Sequence, residues 1–244
     1  MYLATGTGVA VEAIRRGIAR PDRIRTIGPC VDDVTVMATP ASRREARALL
    51  GLDADVEVVG TVGRMDYQKA PEVLIAAVAS MRRGAVLVWV GDGPLMDDAR
   101  RQVGRLGLEG RIHLLGERCD VPHILPAFDI FAMASRYEGL PCAIVEAQRC
   151  GIPVVATTVN GVPDVVSPGE SGLLVPPERP DLLALALEHA LARPDLREAW
   201  AQEARSRLGD RYDATRLGGI LADIYRGGRA GHADLPLARR VGHG

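Results

Sequence analysis

Four side chains suited to a phosphorylated, hydroxyl-rich ligand stand in two pairs along this 244-residue chain, Arg64 with Lys69 and Glu138 with Glu146. A guanidinium can grip phosphate oxygens with two parallel hydrogen bonds, and an ammonium adds a point charge. Carboxylates beside them can accept hydrogen bonds from sugar hydroxyls. Two cations for a diphosphate and two anions for two sugars make a nucleotide-sugar site that needs no metal, because the side chains neutralise charge that a cation would otherwise carry. Lys69 is the one lysine among 30 basic residues, a contrast that a general preference for arginine over lysine also explains.

The elements that must position these groups are legible around Ser135 to Asp164. Ile130 to Ala134 reads as a buried strand, Pro141 suits a first helical position, and Gly151 followed by Pro153 suits a helix stop. Glu138 then lies in a turn and Glu146 in the second turn of the helix, on the face that looks along the strand ends. Gly139 lets a backbone approach a ligand closely, and the free N–H groups at the helix start favour an anion. Upstream, strands over Val56–Val62, Ala85–Val90 and Arg111–Leu115 alternate with helices over Pro71–Met81, Leu95–Leu106 and Val121–Ala127. Downstream come strands over Pro153–Thr157 and Gly172–Val175, then helices over Asp181–Ala192, Pro194–Leu208 and Asp213–Tyr225. Short aliphatic strands alternating with helices predict a Rossmann-like α/β fold, a parallel sheet with helices on both faces. In such a sheet ligands sit beyond the carboxyl ends of the strands. Arg64, Lys69, Asp92, Glu138 and Asn160 all fall at such ends.

Taken singly these residues have plainer readings. Arg64 alone is a solvated loop arginine, Glu146 an exposed helix residue, Asp92 a turn residue, and Asn160-Gly161 a turn signal. Their shared position at strand ends is what favours a site. His113 and His123 read as structural, and Cys142 and Cys150 as small apolar groups on the focal helix.

Composition removes several function classes. A net charge of −1 gives no reason to expect nucleic acid. The four cysteines form no CxxC pair and follow no signal peptide, which points to reduced thiols in a cytoplasmic protein without a zinc site. No apolar stretch reaches the roughly 18 residues of a membrane span, which still leaves room for peripheral membrane contact.

Gly63-Arg64 with Lys69, Gly91-Asp92-Gly93-Pro94, Glu138-Gly139-Leu140-Pro141 with Glu146, and Gly161-Val162-Pro163-Asp164 with Gly172-Leu173-Leu174-Val175 resemble the C-terminal domain of the retaining GT-B glycosyltransferases of family 4. The resemblance covers about residues 55 to 225. It implies that Arg64 and Lys69 bind the diphosphate and stabilise the leaving nucleotide, with Glu138 on the transferred sugar as the third catalytic group. It further implies Glu146 on the ribose, the base near Glu117 to Val121, and donor contacts from Gly63, Asp92, Gly139, Leu140 and Gly161.

The same resemblance implies a domain plan. Residues 1–50 look like a remnant of an N-terminal acceptor domain and a linker, with Gly28-Pro29-Cys30-Val31-Asp32 where family members often carry Pro-Asn-Gly-Val-Asp. Residues 51–226 form the nucleotide-sugar-binding domain, and 227–244 a disordered tail. The chain is expected to be a fragment, a split gene or a misplaced start, whose acceptor contacts come from a separate N-terminal domain. The leading alternative is a catalytically silent nucleotide-sugar binding or partner-docking module. A dehydrogenase is disfavoured, because Gly6-Thr7-Gly8 is followed by Val11 where a dinucleotide fingerprint needs Gly or Ala.

Overall fold

Short aliphatic runs buried on both faces become parallel strands, and the amphipathic stretches between them become the helices that cover those faces. The computed structural model describes residues 1–28, 31, 36–209 and 212–226. Strands β1 (Tyr2–Thr5) and β2 (Ile24–Ile27) pair in parallel across helix α1 (Thr7–Arg15), and α2 (Pro40–Leu49) follows. The main unit then alternates β3 (Val58–Val62), α3 (Pro71–Ser80), β4 (Val86–Val90), α4 (Met96–Leu106), β5 (Ile112–Leu114), α5 (Val121–Ile124) and β6 (Ile130–Met133). It continues with α6 (Cys142–Cys150), β7 (Val154–Thr157), β8 (Gly172–Val175), α7 (Pro180–Leu191), α8 (Pro194–Leu208) and α9 (Ala214–Tyr225).

The six strands of the main sheet lie in the order β5-β4-β3-β6-β7-β8, all parallel. The chain starts at the centre with β3, steps outward through β4 and β5, then returns to lay β6 against the other side of β3. The strand order therefore reverses between β3 and β6, and a crevice opens where the connections leave in opposite directions.

Side chains alternate across the sheet. Leu87 and Trp89 face one layer with Leu74, Ile75, Leu183 and Leu187, while Val86, Val88 and Val90 face the other with Phe128, Phe131, Ile144 and Ile152. Helices α3, α4 and α7 cover the first face; α2, α5 and α6 cover the second.

Helix ends follow their chemistry. Thr39 caps α2 through a capping box with Ser42, Asp213 caps α9 by accepting from the Thr215 and Arg216 N–H groups, and Gly107 and Gly151 close α4 and α6 in the left-handed region.

Two details depart from the sequence reading. Pro141 is the residue before α6 rather than its first helical residue, with ψ at 64°. Helix α2 begins at Pro40, inside the stretch read as linker. It packs on the main unit, with Ala46 in the core and Arg47 bonded to Asp129, so the packing of that unit reaches back before residue 51. Most of Gly28-Pro29-Cys30-Val31-Asp32, and the whole tail 227–244 with His232 and His243, lie outside the described residues. Among the described residues no helix is long and apolar enough to cross a membrane.

Candidate active site at the sheet switch point

The two loops that leave the central strands meet over the switch point. From β3 the chain runs through Gly63, Arg64 and Asp66 to Lys69; from β6 it runs through Ser135 to Glu138. Lys69 Nζ donates to Glu138 Oε1 at 2.6 Å, across 69 residues of sequence. Glu138 is buried, its side chain 3% exposed, and Lys69 is half-buried, its side chain 18% exposed. The Ser135 hydroxyl donates to the same carboxylate oxygen at 2.6 Å, and Gln68 Nε2 approaches the other at 3.4 Å. Thr157, at the end of β7, donates to the Ser135 carbonyl at 2.6 Å, so three strand ends share one chain of hydrogen bonds.

Arg64 is differently placed. Its side chain is 72% exposed, and its nearest carboxylate, Asp66, stands 4.0 Å away. Asp66 in turn accepts from the Lys69 N–H at 3.1 Å, which shapes the loop. The two cations of this loop thus have distinct situations. Lys69 is neutralised by Glu138, whereas Arg64 offers its charge to solvent.

The loops are held by residues whose importance single positions in the sequence did not disclose. Arg136 donates its N–H to the Gln68 carbonyl and its Nη1 to the Tyr67 carbonyl, each at 2.8 Å. Its guanidinium stacks 4.2 Å from the Tyr67 ring centre and pairs with Glu72 and Glu178. Trp89 reaches from beneath to donate Nε1 to the Gly63 carbonyl at 3.0 Å. An arginine two residues before Glu138 and an indole in the neighbouring strand were the available signals.

Asp92 sits in the turn after β4. It is exposed, its carboxylate accepts from the Gly93 N–H at 2.6 Å, and its carbonyl accepts from the Met65 N–H at 2.9 Å. Gly91 adopts φ +130°, and a Cβ there would stand 2.1 Å from the Gly63 carbonyl oxygen. The two turns can meet only through glycine at that point.

Gly139 and Leu140 lead from Glu138 into α6 and are half-buried, as is Glu146 in the second turn of that helix. Gly161 packs against Gly139, where an added Cβ would lie 2.4 Å from the carbonyl oxygen. The N-terminal segment closes over the same place. Gly6 lies against the Gly139 carbonyl, and the Thr7 N–H donates to Asp164 Oδ2 at 2.8 Å. The Gly6-Thr7-Gly8 turn therefore spends its helix-end N–H on a protein carboxylate. Among the described residues no group of three His, Cys, Asp or Glu is placed to hold a metal ion.

The rim of one crevice thus carries an exposed guanidinium, a lysine–glutamate pair with the carboxylate buried, and a bend of closely packed glycines. Such a surface can offer charge and backbone N–H groups to an anionic ligand and carboxylate oxygens to a polar one.

Comparison with known proteins agrees with this geometry. Residues 42–207 match the family described as glycosyl transferases group 1. A D-inositol 3-phosphate glycosyltransferase of Saccharomonospora viridis is 35% identical over 235 residues, covering 89% of this chain and 53% of that protein. An alpha-D-kanosaminyltransferase of Streptomyces kanamyceticus is 36% identical over 193 residues, covering 77% of this chain and 50% of that protein. The chain therefore spans about half the length of these curated relatives. The crystal structure of Anabaena HepE in complex with UDP and glucose superposes with a TM-score of 0.84 at 27% identity, over 92% of this chain and 62% of HepE. The C-terminal domain of a glycosyl transferase group 1 protein, LpcC of Francisella tularensis, shares the fold at 22% identity and a TM-score of 0.65, with 75% of this chain covering 99% of that domain. The sheet order, the convergence of β3 and β6 loops and the family match agree, and the chain belongs to the glycosyl transferases group 1, with the Rossmann-like fold of GT-B glycosyltransferases.

Proposed function

We propose that this chain is the donor-binding half of a retaining glycosyltransferase, which holds a nucleoside diphosphate sugar for transfer to an acceptor hydroxyl. The observation that carries the reading is the meeting of Lys69 and Glu138 at 2.6 Å over the switch point, with Arg64 uncommitted beside them. In the reaction the bond from the anomeric carbon to the diphosphate oxygen breaks, and negative charge grows on the departing diphosphate. Arg64 meets that charge directly, while Lys69, already oriented by Glu138, adds to the positive potential of the rim. Glu138 contacts the transferred sugar and Glu146 the ribose, with Gly63, Asp92, Gly139, Leu140 and Gly161 supplying the surrounding surface. No metal is required, since the cations carry its electrostatic role.

HepE was crystallised with UDP and with UDP-glucose, and relatives are named for transfer to inositol phosphate and for kanosaminyl transfer, which supports a nucleotide-sugar donor. The acceptor would be met by an N-terminal domain. The setting we propose is cytoplasmic, with peripheral membrane contact compatible with it. A silent nucleotide-sugar binding module is the second reading.

Calorimetric titration of UDP, GDP and ADP into the wild type and Arg64→Ala tests the donor role. A hydrogen bond to a charged group contributes about 1.5–3 kcal/mol, so the variant should bind the preferred nucleotide about 10- to 100-fold more weakly. Equal binding by both proteins removes Arg64 from the site. Transfer assays with an added N-terminal half then separate an enzyme from a silent module.

A further inference from the structure

The opposite rim of the sheet carries an arginine-lined cleft of about 880 Å³, between α2, α8 and the residues that lead into β3, β6 and β7. Strands of five residues, about 16 Å long, separate it from Lys69 and Glu138. Arg43, Arg44, Arg47, Arg197 and Arg205 line it.

Ordinary structural roles account for part of this cluster. Helix C-termini gather at this rim and draw cations, and Arg197 donates Nη1 to the Ala190 and Leu191 carbonyls at the end of α7, at 3.0 and 2.5 Å. Asp129 takes Arg43 on one oxygen at 3.1 Å, and on the other takes Arg47 and the Val58 N–H, both at 2.8 Å. Glu57 is held by Arg83 through both oxygens, at 2.7 and 2.8 Å. The half-buried carboxylates of the cleft are thus already saturated.

Arg44 and Arg205 remain. Both are exposed, and neither side chain has a hydrogen bond or ion pair to any described residue. Arg205 lies over the end of α6, where Gly151 leaves it room; a Cβ at Gly151 would stand 3.0 Å from Nη1. Arg197 has carbonyl partners but, among the described residues, no carboxylate within ion-pair distance, and burial holds its guanidinium below the usual range. Asp55 and Glu198 also line the cleft without pairing to these arginines. Their charges disfavour an extended polyanion and leave a single phosphate group as the better match.

We infer that this cleft is a binding site for a phosphate-bearing anion, held by Arg44, Arg197 and Arg205. The guanidinium forks supply the bidentate geometry that phosphate oxygens accept. The site is independent of the donor-binding reading and acts at the other end of the sheet. The source of the phosphate is either a soluble metabolite or the headgroup of an anionic lipid.

Calorimetric titration of inorganic phosphate into the full chain tests the site with three proteins: wild type, Arg64→Ala and Arg44→Gln/Arg205→Gln. Wild type and Arg64→Ala should bind phosphate alike. The cleft variant should bind at least tenfold more weakly, with an unchanged melting temperature and unchanged affinity for nucleoside diphosphates. Absence of phosphate binding by the wild type, equal binding by all three, or loss confined to Arg64→Ala would overturn the proposal. Sedimentation with phosphatidylglycerol and phosphatidylcholine vesicles distinguishes the sources. Attachment to the anionic vesicles that depends on Arg44 and Arg205 identifies a lipid headgroup, and its absence identifies a soluble phosphate.

Discussion

Replacing Lys69 with methionine keeps the bulk of the side chain but leaves the Glu138 carboxylate, 3% exposed, without its cation. At 2.6 Å the two charges attract by about 6 kcal/mol for an effective dielectric near 20. Bringing them out of water costs several kcal/mol per ion, so the intact pair contributes little net stability. Cutting one partner exposes that desolvation cost. A loss of about 3–5 kcal/mol is typical for a broken buried pair, and the lower end applies here because Ser135 still donates to the same oxygen. For a domain of this size that amounts to a melting temperature roughly 6–12 °C lower. Glu138→Gln should destabilise similarly by stranding the ammonium, whereas Lys69→Met/Glu138→Gln removes both charges and should recover most of the loss. Urea unfolding of the four proteins at neutral pH gives the coupling energy. Single variants within about 0.5 kcal/mol of wild type, or strictly additive losses, would refute a buried and mutually dependent pair.

Gly161→Ala should cost about 1–3 kcal/mol and weaken nucleoside diphosphate binding, because its methyl would meet the Gly139 carbonyl at 2.4 Å. Gly218→Ala, in α9 where an added Cβ meets nothing within 4 Å, should instead stabilise by about 0.5–1 kcal/mol in thermal melts. Burial pushes the Cys150 thiol up to about 12, and it donates to the Val36 carbonyl at 2.9 Å. Peptide mapping after iodoacetamide treatment at pH 8 should therefore find the exposed Cys119 alkylated and Cys150 protected until the fold is opened. The hydrogen bond from Arg179 holds the Asp181 carboxyl down to about 2. Its pairing contributes above the ordinary carboxylate range and is lost as pH falls through about 2; an NMR titration should move the midpoint upward in Arg179→Ala.

The sheet was readable because strands such as Val86–Val90 and Ile130–Met133 are nearly continuous aliphatic runs, as a sheet covered on both faces requires. The site was readable as a set of strand-end residues, since chain order alone says which loops leave the carboxyl edge. The pairing inside that set was not. Lys69 and Glu138 were expected to address separate parts of a ligand, yet the switch between β3 and β6 brings them into direct contact. Which neighbour a charged group meets depends on strand order, and strand order is set by burial over the whole chain. Arg136 escaped attention for the same reason. Its partners Tyr67, Glu72 and Glu178 lie far from it in the chain, and nothing in the local spelling around it marks a clamp. Similarly, Ser42–Leu50 reads as a short charged helix, but nothing local says that Arg43 and Arg47 use that charge to grip Asp129 at the foot of β6.

The chain has two tryptophans, and both are buried. Trp89 lies directly under the cationic loop with its indole tied to Gly63, and Trp200 is tied to Gly169. Exchanging Trp200 for phenylalanine would leave a single tryptophan, one hydrogen bond away from the loop that carries Arg64 and Lys69. Occupancy of the crevice could then be followed by light emission from the unlabelled protein.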